Sequence, residues 1–379
     1  MRLFRRSTAA IAALLASACG QQADDHADDR AYMAQPNAFF EARLDDPPVV
    51  VDGQTLHPKL QYEFQERRKE RAASGRDYNS WLNETWATPE GRAWLRAAVD
   101  TNWTKFAHDI GPVGRTEDIA IPGPRGDIRA RVYWPDAEQG APKPMLMYFH
   151  GGGYLIASIE AVEPQAKILA VEGDLIVVSV DYALAPEHPF PAAHLDALAA
   201  FDWLAANAAR LGGDPQRLGV GGDSAGGNLA IVIADERARL GKPPPKAQLL
   251  YYPFTDAHTQ RYPSYDLFGD GFGLDKNFIR TATQAALRTP ADRDHRWLTP
   301  LRAADHARQP KAVIATAGFD PIRDQGVLFA DALRDAGVTV MHTHYPSLNH
   351  GFLEASGVID DARRACFETA RQIGAMLRR

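Results

Sequence analysis

Hydrophobic and polar residues follow each other along the chain in two different ways. Before about residue 115, apolar positions recur with a helical period among charged ones, which predicts an N-terminal helical region over residues 46–115. Beyond it, short apolar runs alternate with longer amphipathic stretches, a pattern typical of strands and helices in turn. The predicted strands are residues 145–149, 175–180, 218–220, 249–252, 312–317 and 338–342.

This alternation predicts an α/β fold with a mostly parallel, doubly wound sheet that helices cover on both faces. A hairpin with strands at residues 119–121 and 128–134 is predicted to precede it, and the whole domain is expected to cover residues 116–379. Residues 255–300, rich in Asp, Gly and aromatic residues, look like an insertion near the C-terminal edge of the sheet. The predicted helices are residues 161–171, 192–210, 225–240, 325–336 and 359–377.

The start of the chain has the pattern of an export signal: basic residues, an apolar run too short to span a bilayer, and small residues ending at Ala18. One interpretation is an ordinary signal peptide over residues 1–18. The other rests on Cys19, because LLASAC resembles the lipobox of bacterial lipoproteins, in which the cysteine is lipidated. Residues 19–45 are then expected to form a flexible polar tether.

Both interpretations predict an exported protein, which is periplasmic, secreted or anchored to a membrane through a lipidated Cys19. The only other cysteine is Cys366, so one mature chain cannot form a disulfide framework. The net charge of −6 gives no reason to expect nucleic acid as a partner. The composition leaves the oligomeric state open.

The residues most indicative of chemistry are Gly222, Asp223, Ser224, Ala225 and Gly226, which follow a predicted strand and open a predicted helix. They fit G-x-S-x-G, the pattern of a nucleophile elbow. Such a turn is so tight that the positions two residues before and after the serine cannot carry bulk. The pattern therefore predicts Ser224 as a nucleophile at a helix N-terminus, where the helix dipole favours negative charge.

A second glycine-rich stretch, His150-Gly151-Gly152-Gly153, directly follows the predicted strand at residues 145–149. Glycines let the backbone approach a substrate closely, and their N–H groups are suited to bind an oxyanion. The stretch is predicted to form an oxyanion hole together with the Ala225 amide. Two of the three glycine amides are expected to contribute, with Gly152 and Gly153 favoured.

A serine nucleophile needs a base, and the base needs a carboxylate that orients it. Asp320 follows the predicted strand at residues 312–317 and is favoured as the acid over Asp324, which is more easily interpreted as a helix cap. His350, on a loop before the last helix, is predicted to be the base. His342 and His344 are interpreted as structural side chains.

No cofactor and no metal site are expected. The carboxylates Asp266, Asp270 and Asp275 lie in the predicted insertion, but their spacing does not match a calcium-binding loop. The N-terminal helical region contains several tryptophans, including Trp81 and Trp86. These side chains could face a substrate or pack between helices. Packing is the favoured interpretation.

Five motifs in order, HGGGY, DYALAPEHPFPAA, GDSAGGNLA, AGFDPIRDQG and NHGF, resemble the hormone-sensitive-lipase-like family of bacterial esterases. The resemblance implies the α/β-hydrolase fold, and a catalytic triad of Ser224, Asp320 and His350. It also implies a helical cap built from an N-terminal region and an insertion in the sheet. Glu187, in the LAPE stretch, is expected to be structural and to hold loops around the site.

The chemistry expected from these motifs is hydrolysis of a carboxylic ester with a short- to medium-chain acyl group. A deacetylase, amidase or lactonase acting on a small acylated metabolite would use the same triad. A non-catalytic ligand-binding protein on the same fold is a further alternative. It is disfavoured because all members of the triad are present. The partner in every case is a small molecule.

Overall fold

The structure is a computed structural model that describes residues 29–137, 140–302 and 305–379. The signal peptide expected over residues 1–18 and the lipidation candidate Cys19 lie outside the described residues. Within the described ranges, no helix combines the length and the apolar character needed to cross a bilayer.

A sheet of eight strands, mostly parallel, forms the centre of the molecule. Its strands are β3 (Arg115–Gly123), β4 (Gly126–Trp134), β5 (Lys143–Phe149), β6 (Ile176–Val180), β7 (Gly213–Asp223), β8 (Ala247–Tyr251), β9 (Lys311–Phe319) and β10 (Val340–Asn349). Their order in the sheet is β10-β9-β8-β7-β5-β6-β4-β3, and only the β3–β4 and β4–β6 pairs are antiparallel. The predicted hairpin and the predicted parallel strands are therefore confirmed, and so is the doubly wound α/β class.

Helices cover both faces of the sheet because its central strands are apolar on both sides. The strands β6 and β8 are buried along their whole length. The covering helices are α5 (Glu163–Gly173), α6 (Ala192–Asn207), α7 (Ala225–Arg239), α10 (Arg323–Asp335) and α11 (Asp360–Arg378). Each overlaps a predicted helix, with boundaries that differ by a few residues.

The described residues before the sheet include a small helix and three longer ones, besides a helical turn at residues 29–33. They are α1 (Asn37–Glu41), α2 (Pro58–Ser74), α3 (Tyr78–Ala87) and α4 (Pro89–Lys105), with the short strands β1 (Val50–Val51) and β2 (Gln54–Thr55) between α1 and α2. Proline at the first helical position starts α2 and α4, where its missing N–H costs nothing. Trp86, on α3, packs against the main core, in line with the favoured interpretation.

The segment between β8 and β9, which holds the predicted insertion, carries two further helices. They are α8 (Pro263–Phe268) and α9 (Lys276–Ala286). Asp275 caps α9, because its carboxylate accepts a hydrogen bond from the Phe278 amide at 2.7 Å. Asp270 pairs with Lys276 at 2.6 Å. The helix α9 thus has a fixed start next to the glycine-rich loop that follows β5.

The described part of the predicted tether, residues 29–45, is ordered against the helical region, which corrects the expectation of a free polar chain. Phe40 is fully buried, and Arg30 donates to the Thr104 carbonyl at 2.9 Å. Gln65 of α2 donates to the Arg43 carbonyl at 3.1 Å. The few apolar residues of this segment pack on α2. The composition of the segment alone does not predict this contact.

We expect a protein that lacks residues 1–45 to unfold at a lower temperature than one that lacks residues 1–28. The longer deletion removes the buried Phe40 and exposes its contacts, and a large buried apolar side chain contributes about 2–3 kcal/mol. In a chain of this size, with an unfolding entropy of about 2 cal/mol/K per residue, that loss lowers the melting temperature by about 3–4 °C. Thermal unfolding of the two proteins measures it. Equal melting temperatures would mean that residues 29–45 contribute no stability.

Candidate active site

The turn between β7 and α7 presents Ser224 in a strained backbone conformation, with φ of 53° and ψ of −117°. The residues two positions before and two positions after it must be glycine. A Cβ on Gly226 would lie 1.9 Å from the Phe149 carbonyl oxygen, and a Cβ on Gly222 would lie 2.4 Å from the Gly226 carbonyl carbon. The missing side chains allow β5 and α7 to approach each other, and this approach fixes where the serine stands.

The structure brings Ser224, His350 and Asp320 together in one hydrogen-bonded chain. His350 Nε2 lies 3.0 Å from Ser224 Oγ, and His350 Nδ1 lies 2.9 Å from Asp320 Oδ2. Asp320 is fully buried, and its other oxygen accepts from the Ile322 amide at 2.8 Å. The ring of Tyr252 packs against His350 with 4.6 Å between centroids. The carboxylate and the imidazole are thus both held in place by neighbours that take no part in the chain.

The loop after β5 carries two amides suited to bind an anion. Gly152 and Gly153 have φ of 96° and 62°, and within the described chain neither amide donates a hydrogen bond. Ala225 begins α7, so its amide has no acceptor within the helix. The Gly151 amide already donates to Asp223 Oδ1 at 3.0 Å, which leaves the favoured pair, Gly152 and Gly153. Its amide therefore fixes the loop and leaves the anion to its two neighbours.

Asp223 links the serine turn to the glycine loop. Besides Gly151, its Oδ1 accepts from the Tyr148 hydroxyl at 2.9 Å. Burial raises the pKa of Asp223 to about 6, although both donors favour the ionised form. His150 lies beside the same loop, with its ring stacked on Tyr182 at 4.3 Å between centroids. The supporting residues predicted from the motifs thus hold the loop from two sides.

This arrangement has the parts that nucleophilic acyl transfer needs: a half-buried serine hydroxyl, a base, an orienting acid and free amides nearby. A family described by the α/β hydrolase fold matches residues 146–354. The chain belongs to this family. The match and the esterase relatives below support the resemblance to hormone-sensitive-lipase-like esterases and confirm the α/β-hydrolase fold.

Two relatives of this α/β-hydrolase are esterases by name. The carboxylic ester hydrolase LipN of Mycobacterium tuberculosis is 40% identical over 312 residues, which cover 80% of this chain and 79% of LipN. Ethyl acetate hydrolase of Pseudomonas putida is 36% identical, over 62% of this chain and 74% of its own length.

Solved structures agree with this relationship. The ester hydrolase EH1AB1 from the metagenome of Lake Arreo has a TM-score of 0.77 and 33% identity, and the match covers 86% of this chain and 99% of that one. A Pyrobaculum calidifontis esterase has a TM-score of 0.72 and 35% identity, with 75% and 93% covered.

A buried polar network behind the elbow was not predicted from the sequence. The side-chain oxygen of Asn228, on the first turn of α7, accepts from the Tyr154 hydroxyl at 2.9 Å and lies 2.9 Å from His194 Nε2. Its amide group donates to the Trp297 carbonyl at 2.8 Å. Tyr154 and Asn228 stand directly after the two glycine motifs, and that adjacency was the signal available for finding them.

Glu187 joins the loop between β6 and α6 to the helix α4. It pairs with Arg92 at 2.7 Å and with Arg96 at 2.8 Å. Partial burial opposes its ionisation, but the hydrogen bonds from both arginines outweigh it and lower the pKa of Glu187 to about 2. Arg96 also donates to the carbonyls of Leu155 and Ala185, at 2.8 and 2.9 Å. Nothing in one sequence identifies these arginines as partners of Glu187.

The alternatives weighed for the acid and the base lie elsewhere. Asp324 stands in the first turn of α10, where its carboxylate accepts from the Ser264 amide at 2.9 Å. His342 and His344 both lie 2.9 Å from the Thr316 hydroxyl, on β10 and β9. None of the three is hydrogen-bonded to Ser224 or to His350.

We expect His194 to make the protein sensitive to mild acid. Burial lowers its pKa to about 4, whereas the same side chain in the unfolded protein titrates near 6.5. Between these values the unfolded state binds more protons, so stability falls as the pH decreases through this window. A shift of this size corresponds to about 3 kcal/mol.

The measurement is the free energy of unfolding between pH 4.5 and 7.5 for the wild type, His194→Gln and His188→Gln. Glutamine keeps a hydrogen-bond donor for Asn228 but has no titratable group. In His194→Gln the free energy of unfolding should therefore fall less steeply as the pH decreases. The exposed His188 serves as the matched control and should leave the slope unchanged. Equal slopes in the wild type and His194→Gln would contradict the assignment.

Proposed function

We propose that this chain is a carboxylesterase-type hydrolase that uses Ser224 as its nucleophile on esters of short- to medium-chain acids. The observation that carries the proposal is the hydrogen-bonded chain from Ser224 Oγ through His350 to Asp320, with distances of 3.0 and 2.9 Å. The relatives named as carboxylic ester hydrolase and ethyl acetate hydrolase support the reaction class.

In the first half of the proposed reaction, His350 Nε2 takes the proton of Ser224 while Oγ forms a bond to the ester carbonyl carbon. The tetrahedral intermediate collapses when its bond to the alcohol oxygen breaks, and His350 gives the proton to the departing alcohol. In the second half, a water molecule gives His350 a proton and attacks the acyl-enzyme. Collapse releases the carboxylic acid and returns the proton to Ser224. Asp320 stabilises the charged imidazole throughout.

The negative oxygen of the intermediate would be bound by the amides of Gly152, Gly153 and Ala225. Their lack of partners within the described chain supports this role. Preorganised donors of this kind stabilise a transition state by about 3 kcal/mol each. Asp223 and Tyr148 would contribute indirectly. Asp223 accepts hydrogen bonds from the Tyr148 hydroxyl and the Gly151 amide, and this fixes the shape of the loop.

The preference for shorter acyl groups is supported by how closely α9 covers the glycine loop. A Cβ on Gly153 would lie 3.1 Å from the Ala282 methyl group and 3.3 Å from the Phe278 ring. Little space therefore remains on this side of Gly153, at the edge of the proposed site. The export signal pattern of residues 1–18 supports a location outside the cytoplasm, with Cys19 as a candidate lipid attachment site.

We expect the protein without residues 1–28 to hydrolyse p-nitrophenyl esters, fastest for acetyl to hexanoyl and slower for long chains. Ser224→Ala should lose at least about 10³-fold in kcat, because no other group supplies the nucleophile. Rates across the acyl series, with folding checked by circular dichroism, measure both effects. Full turnover by folded Ser224→Ala would refute the nucleophile assignment, and no turnover of any ester by the folded wild type would refute the reaction.

Two neighbouring aspartates offer a matched test of the acid. Asp320→Asn should lower kcat by about 10³- to 10⁴-fold, since an amide cannot hold the imidazole in the required tautomer or stabilise its charge. Asp324→Asn removes an equal charge four residues further on, and should keep activity within about threefold. Steady-state kinetics on p-nitrophenyl acetate compare them. A larger loss for Asp324→Asn would transfer the role to Asp324.

A further inference from the structure

The residue that stands out beside the proposed triad is Glu354. It lies on the 3₁₀ turn Phe352–Ala355, directly after His350 and Gly351. Its side chain folds back over this segment, so that a Cβ on Gly351 would lie only 2.8 Å from Glu354 Oε1. Gly351 has φ of 82°, a conformation that favours glycine. The carboxyl group of Glu354 therefore rests against the backbone that carries the base.

This carboxyl group has no hydrogen-bond or ion-pair partner in the part of the chain that the structure describes. The buried carboxylates nearby do have partners: Asp223 accepts from Tyr148, and Asp320 from Ile322. Protein surrounds Glu354, and this burial raises its pKa well above the usual range, yet part of the side chain stays accessible. An acid that is enclosed, unpaired and still accessible has the properties of a group that meets a ligand.

The charges around Glu354 decide which ligand it suits. Glu63 and Arg67 face it from α2, and Asp223 and Tyr252 from the catalytic side. Arg67 is exposed and forms an ion pair with Glu63, so its positive charge mainly neutralises the Glu63 carboxylate. The surroundings of Glu354 thus hold more negative than positive charge. A cation placed there would stabilise the ionised form of Glu354, so that binding of the cation and ionisation of the carboxyl group would favour each other.

We propose that Glu354 forms a cation-binding subsite between α2 and the loop of His350, and that the preferred esters carry an ammonium group. The proposal rests on the function proposed above and adds the substrate class.

The test uses pairs of esters that share a shape and differ in charge. Acetylcholine and 3,3-dimethylbutyl acetate place the difference on the alcohol. The p-nitrophenyl esters of 4-(trimethylammonio)butanoic acid and 5,5-dimethylhexanoic acid place it on the acyl group. In at least one pair, the wild type should show a kcat/KM about tenfold higher for the charged ester, a ratio that corresponds to about 1.4 kcal/mol.

Glu354→Gln should abolish this preference, so that the ratio of kcat/KM between the charged and the neutral ester falls to about one. Glu117→Gln makes the same chemical change on the exposed hairpin and should keep the preference. A wild type that favours the neutral ester, or treats both members of each pair alike, would overturn the subsite without any variant. An unchanged preference in Glu354→Gln, or an equal loss on charged and neutral esters, would also overturn it.

The two proposals fail in distinguishable ways. Hydrolysis of the neutral esters by the wild type, and its loss in Ser224→Ala, tests the reaction. The ratio within each pair tests the subsite alone. Should Glu354→Gln not fold, Glu354→Asp withdraws the carboxylate by one methylene group and should reduce the ratio severalfold. Inhibition of p-nitrophenyl acetate hydrolysis by tetramethylammonium gives a second measure, and its absence in the wild type would count against the subsite.

Discussion

The close approach of α7 to the end of β5 is the contact on which the rest of the site depends. Gly226 stands so near the Phe149 carbonyl that no side chain fits between them, and Ser224 can point outward only because of this contact. The same contact brings the loop after Phe149 beside the first turn of α7. The proposed nucleophile and the proposed oxyanion-binding amides therefore share a single structural cause, and neither can move without the other.

Polar groups buried behind this contact hold it without taking part in chemistry. Asp223 ties the elbow to Gly151 and Tyr148, and Asn228 ties α7 to Tyr154. Both residues lie one helical turn or less from Ser224, and both reach into the loop after β5. Partly satisfied buried networks are costly, whereas satisfied ones specify one arrangement. The site is thus held in place by hydrogen bonds as well as by packing.

Features that depend on local backbone geometry were the ones the sequence could predict. The glycines around Ser224 and the loop after β5 follow from steric demands within a few residues, and Asp320 follows from its place at a strand end. The end of β10 was missed, since residues 343–349 are mostly polar and their register with β9 is interrupted between Tyr345 and Asn349. The packing of Phe40 and the pairing of Glu187 with α4 depend on residues far away in the chain, so no local pattern contains them.

The double attachment of Arg96 limits how freely this cap could be exchanged among related enzymes. Its guanidinium group joins α4 to Glu187 and also to the carbonyls of Leu155 and Ala185, which belong to the catalytic domain. Recombination that brought in a foreign cap without an arginine at this place would leave Glu187 and two carbonyls unmatched. The helix α4 and the loop of Glu187 therefore depend on each other, and a cap without this arginine would need other donors to hold the loop.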